Sequence, residues 1–166
     1  MQHERPLYTP DERRRRDASR WTLVQGILAA LQFLVFLASL GLVLRALLSG
    51  EGVGLANASV VAKTVTLYAI MVTGALWEHD VYGQYLFAEP FFWEDVVSMG
   101  VIALHTAYLV ALASGALAPR PLLWLALAAY AAYAVNAGQF VAKFRRARLD
   151  RRGAEAAAAP LAGRAA

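Results

Sequence analysis

Four long apolar runs constrain this chain more than any other feature. A helix rises 1.5 Å per residue, so about twenty apolar residues cross the hydrocarbon core of a bilayer. The sequence predicts four transmembrane helices, at residues 21–48, 59–78, 92–117 and 122–146. We therefore expect an all-α integral membrane bundle. Its domains are a polar basic segment at 1–20, a transmembrane domain at 21–144 and a disordered, basic and Ala-rich tail at 147–166.

The boundaries of the runs follow from local signals. Residues 45–58 are rich in Gly and predict a connector. Lys63 interrupts the second run, and we expect it near one end of the span, where its amine can extend to the headgroups. Pro119 and Pro121 are expected to end the third run, because proline lacks an amide donor and disfavours helix in the preceding residue. In the N-terminal segment, Thr9 to Glu12 has the pattern of a helix capping box.

Basic residues gather at the two ends of the chain. Arg13 to Arg16 precede the first run, and Lys143 to Arg152 follow the last. Four crossings put both termini on one side, and the positive-inside rule then predicts that both are cytoplasmic. The net charge of +4 is also compatible with nucleic-acid binding. The bases lie beside apolar runs, however, where anionic lipid attracts them, so we expect membrane lipid and no nucleic acid as a partner.

The composition excludes several chemistries. The chain has no cysteine, which rules out disulfides, thiolate metal sites and thiol catalysis. It has three histidines, one of them His3 in the polar N-terminal segment, so no metal site of the protein's own is expected. No P-loop, dinucleotide fingerprint, zinc-protease motif or nucleophile elbow is present.

The connector between the second and third runs is acidic and aromatic. Trp77 to Asp95 reads W-E-H-D-V-Y-G-Q-Y-L-F-A-E-P-F-F-W-E-D and contains five carboxylates, seven aromatic rings and no Lys or Arg. Carboxylates beside a membrane are costly to desolvate, which favours a functional site. The alternative is a solvated acidic loop with an interfacial aromatic belt.

Three carboxylates are the catalytic candidates: Glu94, Glu78 and Asp95, at the helix ends of this connector. Removal from water favours the protonated form of a carboxyl group, which can then act as a general acid. The candidates for substrate binding are His105, Trp77, Trp93, Tyr85, Gln25, Asn136 and Gln139.

Each binding candidate also has a structural explanation. The amides are typical of interhelical hydrogen bonds, and the aromatic residues are typical of either a membrane belt or a platform for a flat ring. His105 bonds another helix, ligates a metal-centred tetrapyrrole or orients a reacting group. It lies about 16 Å along the helix axis from Glu94 and cannot touch it. We expect fewer polar residues in the periplasmic half of the bundle. A transporter would instead have polar residues along its full depth.

Several blocks resemble the bacteriochlorophyllide vinyl hydratase family. Together they cover roughly Tyr8 to Leu149, in order and at matching spacing, and F-A-E-P-F-F-W-E-D is the most specific. The blocks are Trp21 to Leu37, Tyr68 to Glu78, Gly83 to Asp95, Ala103 to Leu109 and Ala129 to Phe140.

The resemblance implies a hydro-lyase of bacteriochlorophyll a biosynthesis, in the inner membrane of a phototrophic bacterium. Such an enzyme adds water to the ring-A vinyl group of chlorophyllide a or a bacteriochlorophyllide and forms a 1-hydroxyethyl group. No cofactor is implied, and Mg enters only within the tetrapyrrole, with His105 or water as its axial ligand.

The implied chemistry needs one acid and one base. On the resemblance, Glu94 or Glu78 is the acid, and Asp95 or the other Glu positions water. The alternative is a non-enzymatic pigment-binding or assembly protein, which would need His105 and the aromatic residues but not the carboxylates. Contact with a second copy of the chain or with other pigment-synthesis enzymes is left open.

Overall fold

In the computed structural model, which describes residues 7–162, the chain is all-helical, as the sequence predicts. Within that range there are five α-helices, one 3-10 turn and no strand. In order they are α1 (Pro10–Ala18), α2 (Arg20–Ser49), α3 (Val53–Tyr82), the 3-10 turn (Glu89–Phe91), α4 (Phe92–Ser114) and α5 (Pro119–Ala162).

Four stretches are long and apolar enough to cross a membrane: Arg20–Ser49, Val53–Tyr82, Glu89–Ser114 and Pro119–Leu149. Many of their large apolar side chains face outward, such as Leu23, which is 69% exposed, and Val72, which is 64% exposed. In water such a surface would be unfavourable, whereas lipid tails accommodate it. The chain is therefore a multi-pass membrane protein with the four predicted apolar helices.

The N-terminal segment begins with the predicted capping box. The Glu12 amide donates to Thr9 Oγ1 at 3.3 Å, and the Thr9 amide donates to Glu12 Oε2 at 2.7 Å. Tyr8 stacks on Tyr82 of α3 with ring centroids 6.2 Å apart. Since Ser19 also donates to Asp80 at 2.6 Å, α1 is fastened to the last turns of α3.

The long connector expected at residues 45–58 is wrong. Only Gly50 to Gly52 separate α2 from α3, because Gly50 (φ 75°) and Gly52 (φ 74°) adopt the left-handed conformation that glycine tolerates. Since α3 begins at Val53, Lys63 lies well inside it and is completely buried. The expectation that its amine reaches the headgroups is therefore wrong.

The boundaries of the last two helices also differ from the prediction. α4 ends at Ser114 because Gly115, with φ 65°, caps it. Pro119 then begins α5, where a missing amide costs nothing. The α5 backbone continues to Ala162, so much of the predicted disordered tail is helical. Ala, Arg and Glu, which favour helix, make up most of that segment. Residues 163–166 lie outside the described residues.

The bundle consists of two helical hairpins. α2 packs closely on α3 along its length and α4 on α5, whereas α3 and α4 approach each other much less. The core contains Val43, Val60, Leu67 and Tyr130, all nearly inaccessible. We call the end where α2 begins and α3 ends the terminal end, and the end with the Gly50–Gly52 turn the turn end.

Candidate active site

Glu78 and Asp95 come together at the terminal end. Glu78 lies in the penultimate turn of α3 and Asp95 in the first turn of α4, and their exposed fractions are 5% and 4%. Their carboxyl groups lie next to each other and interact directly. Two carboxylates this close repel each other when both are ionised, which favours one proton on the pair. This carboxylate pair, Glu78 and Asp95, therefore holds one acid and one base in contact.

The loop before α4 fixes the orientation of the carboxylate pair. The Phe87 amide donates to Asp95 Oδ2 at 2.7 Å, and the Ala88 amide donates to Glu78 Oε2 at 3.2 Å. Phe87 has φ 60°, which is uncommon for a residue with a side chain. That conformation turns both amides toward the two carboxyl groups, so backbone covers the pair at the terminal end.

Glu94, the third catalytic candidate, is held differently. Its Oε2 lies 2.5 Å from Nζ of Lys143 on α5, and the same ammonium donates to the Pro90 carbonyl. Asn136 donates to the Glu94 carbonyl at 3.0 Å and accepts from Ser98 at 3.2 Å. The structure thus places Glu94 and Asn136 beside the pair. Because Glu94 is ion-paired to an ammonium, it is less suited than the pair to donate a proton.

An aromatic wall stands next to the carboxylates. Phe91, which is 1% exposed, has Trp77, Phe140 and Phe144 around it with ring centroids 5.6, 6.0 and 5.9 Å away. The Lys143 ammonium lies 4.9 Å from the Phe91 ring centroid. Trp77 therefore lies in the wall, its side chain is partly buried, and its Nε1 donates to Thr22 Oγ1 of α2 at 3.0 Å.

Trp93 and Tyr85 lie at the surface. Trp93 is 70% exposed and packs on Phe92, with ring centroids 5.4 Å apart. Tyr85 is 56% exposed and stacks on His79 at 4.3 Å. Their positions resemble those of belt residues at a membrane interface, the alternative that the sequence left open.

The two remaining amide candidates differ. Gln25 Nε2 donates to Thr73 Oγ1 at 2.6 Å and to the Ile70 carbonyl at 3.3 Å, which joins α2 to α3 away from the carboxylates. Gln139 has a buried Oε1 that receives no hydrogen bond from the described residues. It lies four residues before Lys143 and three after Asn136, so it shares their side of α5.

His105 lies in a second group of polar residues, deep in the bundle. Its side chain is fully buried, its Nδ1 donates to the Val101 carbonyl at 2.8 Å, and no described residue hydrogen-bonds its Nε2. Lys63 Nζ lies 3.7 Å from the Tyr133 ring centroid and 3.2 Å from the Gln32 amide, whose oxygen accepts from it. We call Lys63, Gln32, His105 and Tyr133 the core polar cluster.

Polar residues continue beyond this cluster. The Ser39 hydroxyl lies 2.6 Å from that of Ser59 and 2.5 Å from that of Tyr130, and Tyr108 donates to Asn57 at 2.8 Å. Asn57 is in the second turn of α3, near the turn end. The expectation that polar residues thin out toward that half is therefore wrong. Each of these groups, however, is bonded to a neighbouring helix.

Comparison with known proteins gives the family. A family profile described as 2-vinyl bacteriochlorophyllide hydratase matches residues 8–146. A 2-vinyl bacteriochlorophyllide hydratase of Cereibacter sphaeroides is 64% identical over 152 residues, covering 91% of this chain and 94% of that protein. One of Rhodobacter capsulatus is 62% identical over 144 residues, covering 87% and 84%. The chain belongs to the 2-vinyl bacteriochlorophyllide hydratase family.

Membership in this hydratase family confirms the predicted resemblance and the prediction of a hydro-lyase. No solved structure matches the chain.

Sequence reasoning on this hydratase-family chain missed Lys143 and the two loop amides. The sequence indicates Lys143 only as the start of a basic flank. Its spacing from Asn136 and Gln139 places it on their face of α5, and that spacing is the signal that could have identified it. No sequence pattern identifies the amides, because they depend on the left-handed conformation of Phe87.

Proposed function

We propose that this protein adds water to the ring-A vinyl group of a chlorophyllide or bacteriochlorophyllide and forms a 1-hydroxyethyl group in bacteriochlorophyll biosynthesis. The names of its relatives support hydration of a vinyl-bearing tetrapyrrole. The observation that carries the proposal is the buried carboxylate pair, since hydration of a carbon–carbon double bond needs one proton donor and one proton acceptor.

The reaction divides into two steps. A carboxylic acid gives its proton to the terminal vinyl carbon, which leaves positive charge on the carbon attached to the macrocycle, where conjugation disperses it. Water bonds to that carbon, and a carboxylate removes one of its protons. One water is consumed, and the pair ends with the single proton that it held at the start. No redox cofactor is required, and Mg is part of the substrate.

Glu78 and Asp95 take the two roles. Each has one oxygen fixed by a loop amide, which orients the carboxyl groups before substrate binds. Glu94 is a positioning residue whose ion pair with Lys143 holds the first turn of α4 against α5. Phe91, next to the ion pair, and Trp77 make the surroundings of the pair apolar. His105 is further away, about 15 Å along α4 from Asp95.

The terminal end faces the cytoplasm in this proposal. The Arg-rich α1 and the basic part of α5 after Lys143 both lie at that end, and basic residues favour the cytoplasmic side. The protein would then lie in the inner membrane of a phototrophic bacterium, with the carboxylate pair near the cytoplasmic face of that membrane.

Isotope labelling tests the reaction itself. Membranes that contain the protein are incubated with a vinyl chlorophyllide in water enriched in oxygen-18, and the pigment is examined by mass spectrometry. We expect a hydroxyethyl product that carries one oxygen-18. Membranes without the protein provide the control. No hydroxyethyl product, or a hydroxyl oxygen that does not come from water, would contradict the proposal.

A further inference from the structure

Two polar contacts bridge α3 and α4, one at the terminal end and one closer to the turn end. The first is the Glu78–Asp95 pair at the terminal end. The second is a hydrogen bond of 2.7 Å between the Tyr68 hydroxyl and Thr106 Oγ1, which is exposed at the outer surface of the bundle. Tyr68 precedes Glu78 by ten residues of helix, so the two contacts are about 15 Å apart along α3. That separation is comparable with the width of a tetrapyrrole ring.

The side chains between the two contacts form a seam. On α3 it consists of Met71 and Ala75, which share a helical stripe with Tyr68 and Glu78, and on α4 of Met99 and Ile102, which share one with Asp95 and Thr106. The side chains of all four are half-buried, whereas the core residues on either side of them are almost completely buried. We call these four residues the α3–α4 seam.

The seam has the properties of a surface that can open. α3 is packed mainly on α2 and α4 mainly on α5, so α3 and α4 can part along this line with little loss of contact. The chain has three methionines, and the two after Met1 both lie in this seam. Methionine side chains are flexible and adapt to irregular apolar partners.

From these observations we propose that the α3–α4 seam admits a flat, apolar macrocycle laterally from the bilayer and binds the edge that carries its vinyl group. This inference rests on the proposed function. The Tyr68–Thr106 hydrogen bond opens, and the macrocycle slides between Met71 and Met99 until its vinyl group meets the carboxylate pair. At the terminal end, the Phe87 and Ala88 amides already cover both carboxyl groups, which leaves the lipid side as the open direction.

A matched pair of substitutions tests the seam. Ala75→Phe fills it, while Ala69→Phe places the same ring on the exposed side of α3, away from α4. We expect Ala75→Phe to lower kcat/KM about tenfold or more. Most of the effect should be in KM, because the added ring weakens binding of the substrate and of the transition state equally. Ala69→Phe should leave kcat/KM unchanged. Equal kcat/KM for the two variants would overturn the inference.

Cross-linking gives a second, reversible test. Because the chain has no cysteine, the thiols in Tyr68→Cys/Thr106→Cys are the only ones that react with a short bis-methanethiosulfonate linker. We expect the bridged protein to lose hydration about tenfold or more and to regain it after reduction. The control is Ser19→Cys/Asp80→Cys, which bridges the α1–α2 junction to α3 instead and should keep its rate.

The outcomes separate the two proposals. Full activity of the bridged Tyr68→Cys/Thr106→Cys protein would overturn lateral access and leave the hydratase function standing. If the unsubstituted protein forms no hydroxyethyl product, the proposed function is wrong, and the inference fails with it.

Discussion

The carboxylate pair and the core polar cluster are both buried polar groups, but they are built in opposite ways. Glu78 and Asp95 sit at helix ends, contact each other and are held by a loop. Lys63 and His105 lie inside α3 and α4, and the groups that they contact also belong to helices. The pair can exchange protons with a substrate when α3 and α4 separate or when the loop before α4 moves. The cluster has no opening among the described residues, which indicates a role in packing.

Burial of ionisable groups in a membrane bundle does not by itself identify a functional site. A residue such as Lys63 is expensive in the bilayer and for that reason looks functional. Here the Gln32 amide and the Tyr133 ring compensate it, and no carboxylate contacts it within residues 7–162. What distinguishes the pair is an acid and a base in contact beside a seam that can open.

The largest expected effect is at Asp95. Asp95→Asn keeps an oxygen that can accept from the Phe87 amide but removes the carboxylate from the pair. We expect hydration to fall by roughly 10²- to 10⁴-fold, the usual contribution of general acid–base catalysis. The assay is hydroxyethyl product formed per amount of protein in membranes. Glu51→Gln, at an exposed position on the turn end, is the control and should be fully active.

A smaller effect is expected at Lys143. Lys143→Met leaves Glu94 buried without its ammonium, which should destabilise the terminal end by about 3–5 kcal/mol and lower hydration about tenfold. The double variant Lys143→Met/Glu94→Gln removes both charges and should recover part of the loss. Thermal unfolding in detergent and the product assay measure the two effects. If the double variant is worse than the single one, the ion pair is not what Lys143 contributes.

At the core polar cluster, Lys63→Met should change stability rather than catalysis. The substitution removes a buried ammonium and keeps a long side chain of similar shape, so we expect hydration within about threefold of the unsubstituted protein and an altered unfolding temperature. A loss comparable with that of Asp95→Asn would erase the distinction between the two regions.

The smallest effect is expected outside the bundle. Thr9→Ala removes the capping box of α1 and should cost about 1 kcal/mol of helix stability. Because α1 contacts α3 on the outside, hydration should be unchanged. Hydrogen exchange of the α1 amides measures the local loss, and the product assay shows whether it reaches the carboxylates.

Much of this architecture follows from the sequence. Apolar runs of sufficient length dictate the four helices, and residue types in Trp77 to Asp95 indicate where acid–base chemistry is available. The position of Lys63 could not be predicted, because it depends on two left-handed glycines that shorten a connector to a turn. The partner of Glu94 could not be predicted from its neighbours in sequence, since Lys143 lies 49 residues away.

The most direct test of the account compares Glu78→Gln with His105→Phe in cells that lack the native protein. Glu78→Gln keeps an acceptor for the Ala88 amide and removes the acid, whereas His105→Phe changes only the core polar cluster. The measurement is the pigment that accumulates. We expect vinyl pigment with Glu78→Gln, and hydroxyethyl pigment and its products with His105→Phe. Normal pigment with Glu78→Gln, together with loss of pigment complexes with His105→Phe, would contradict the account and favour a pigment-binding protein.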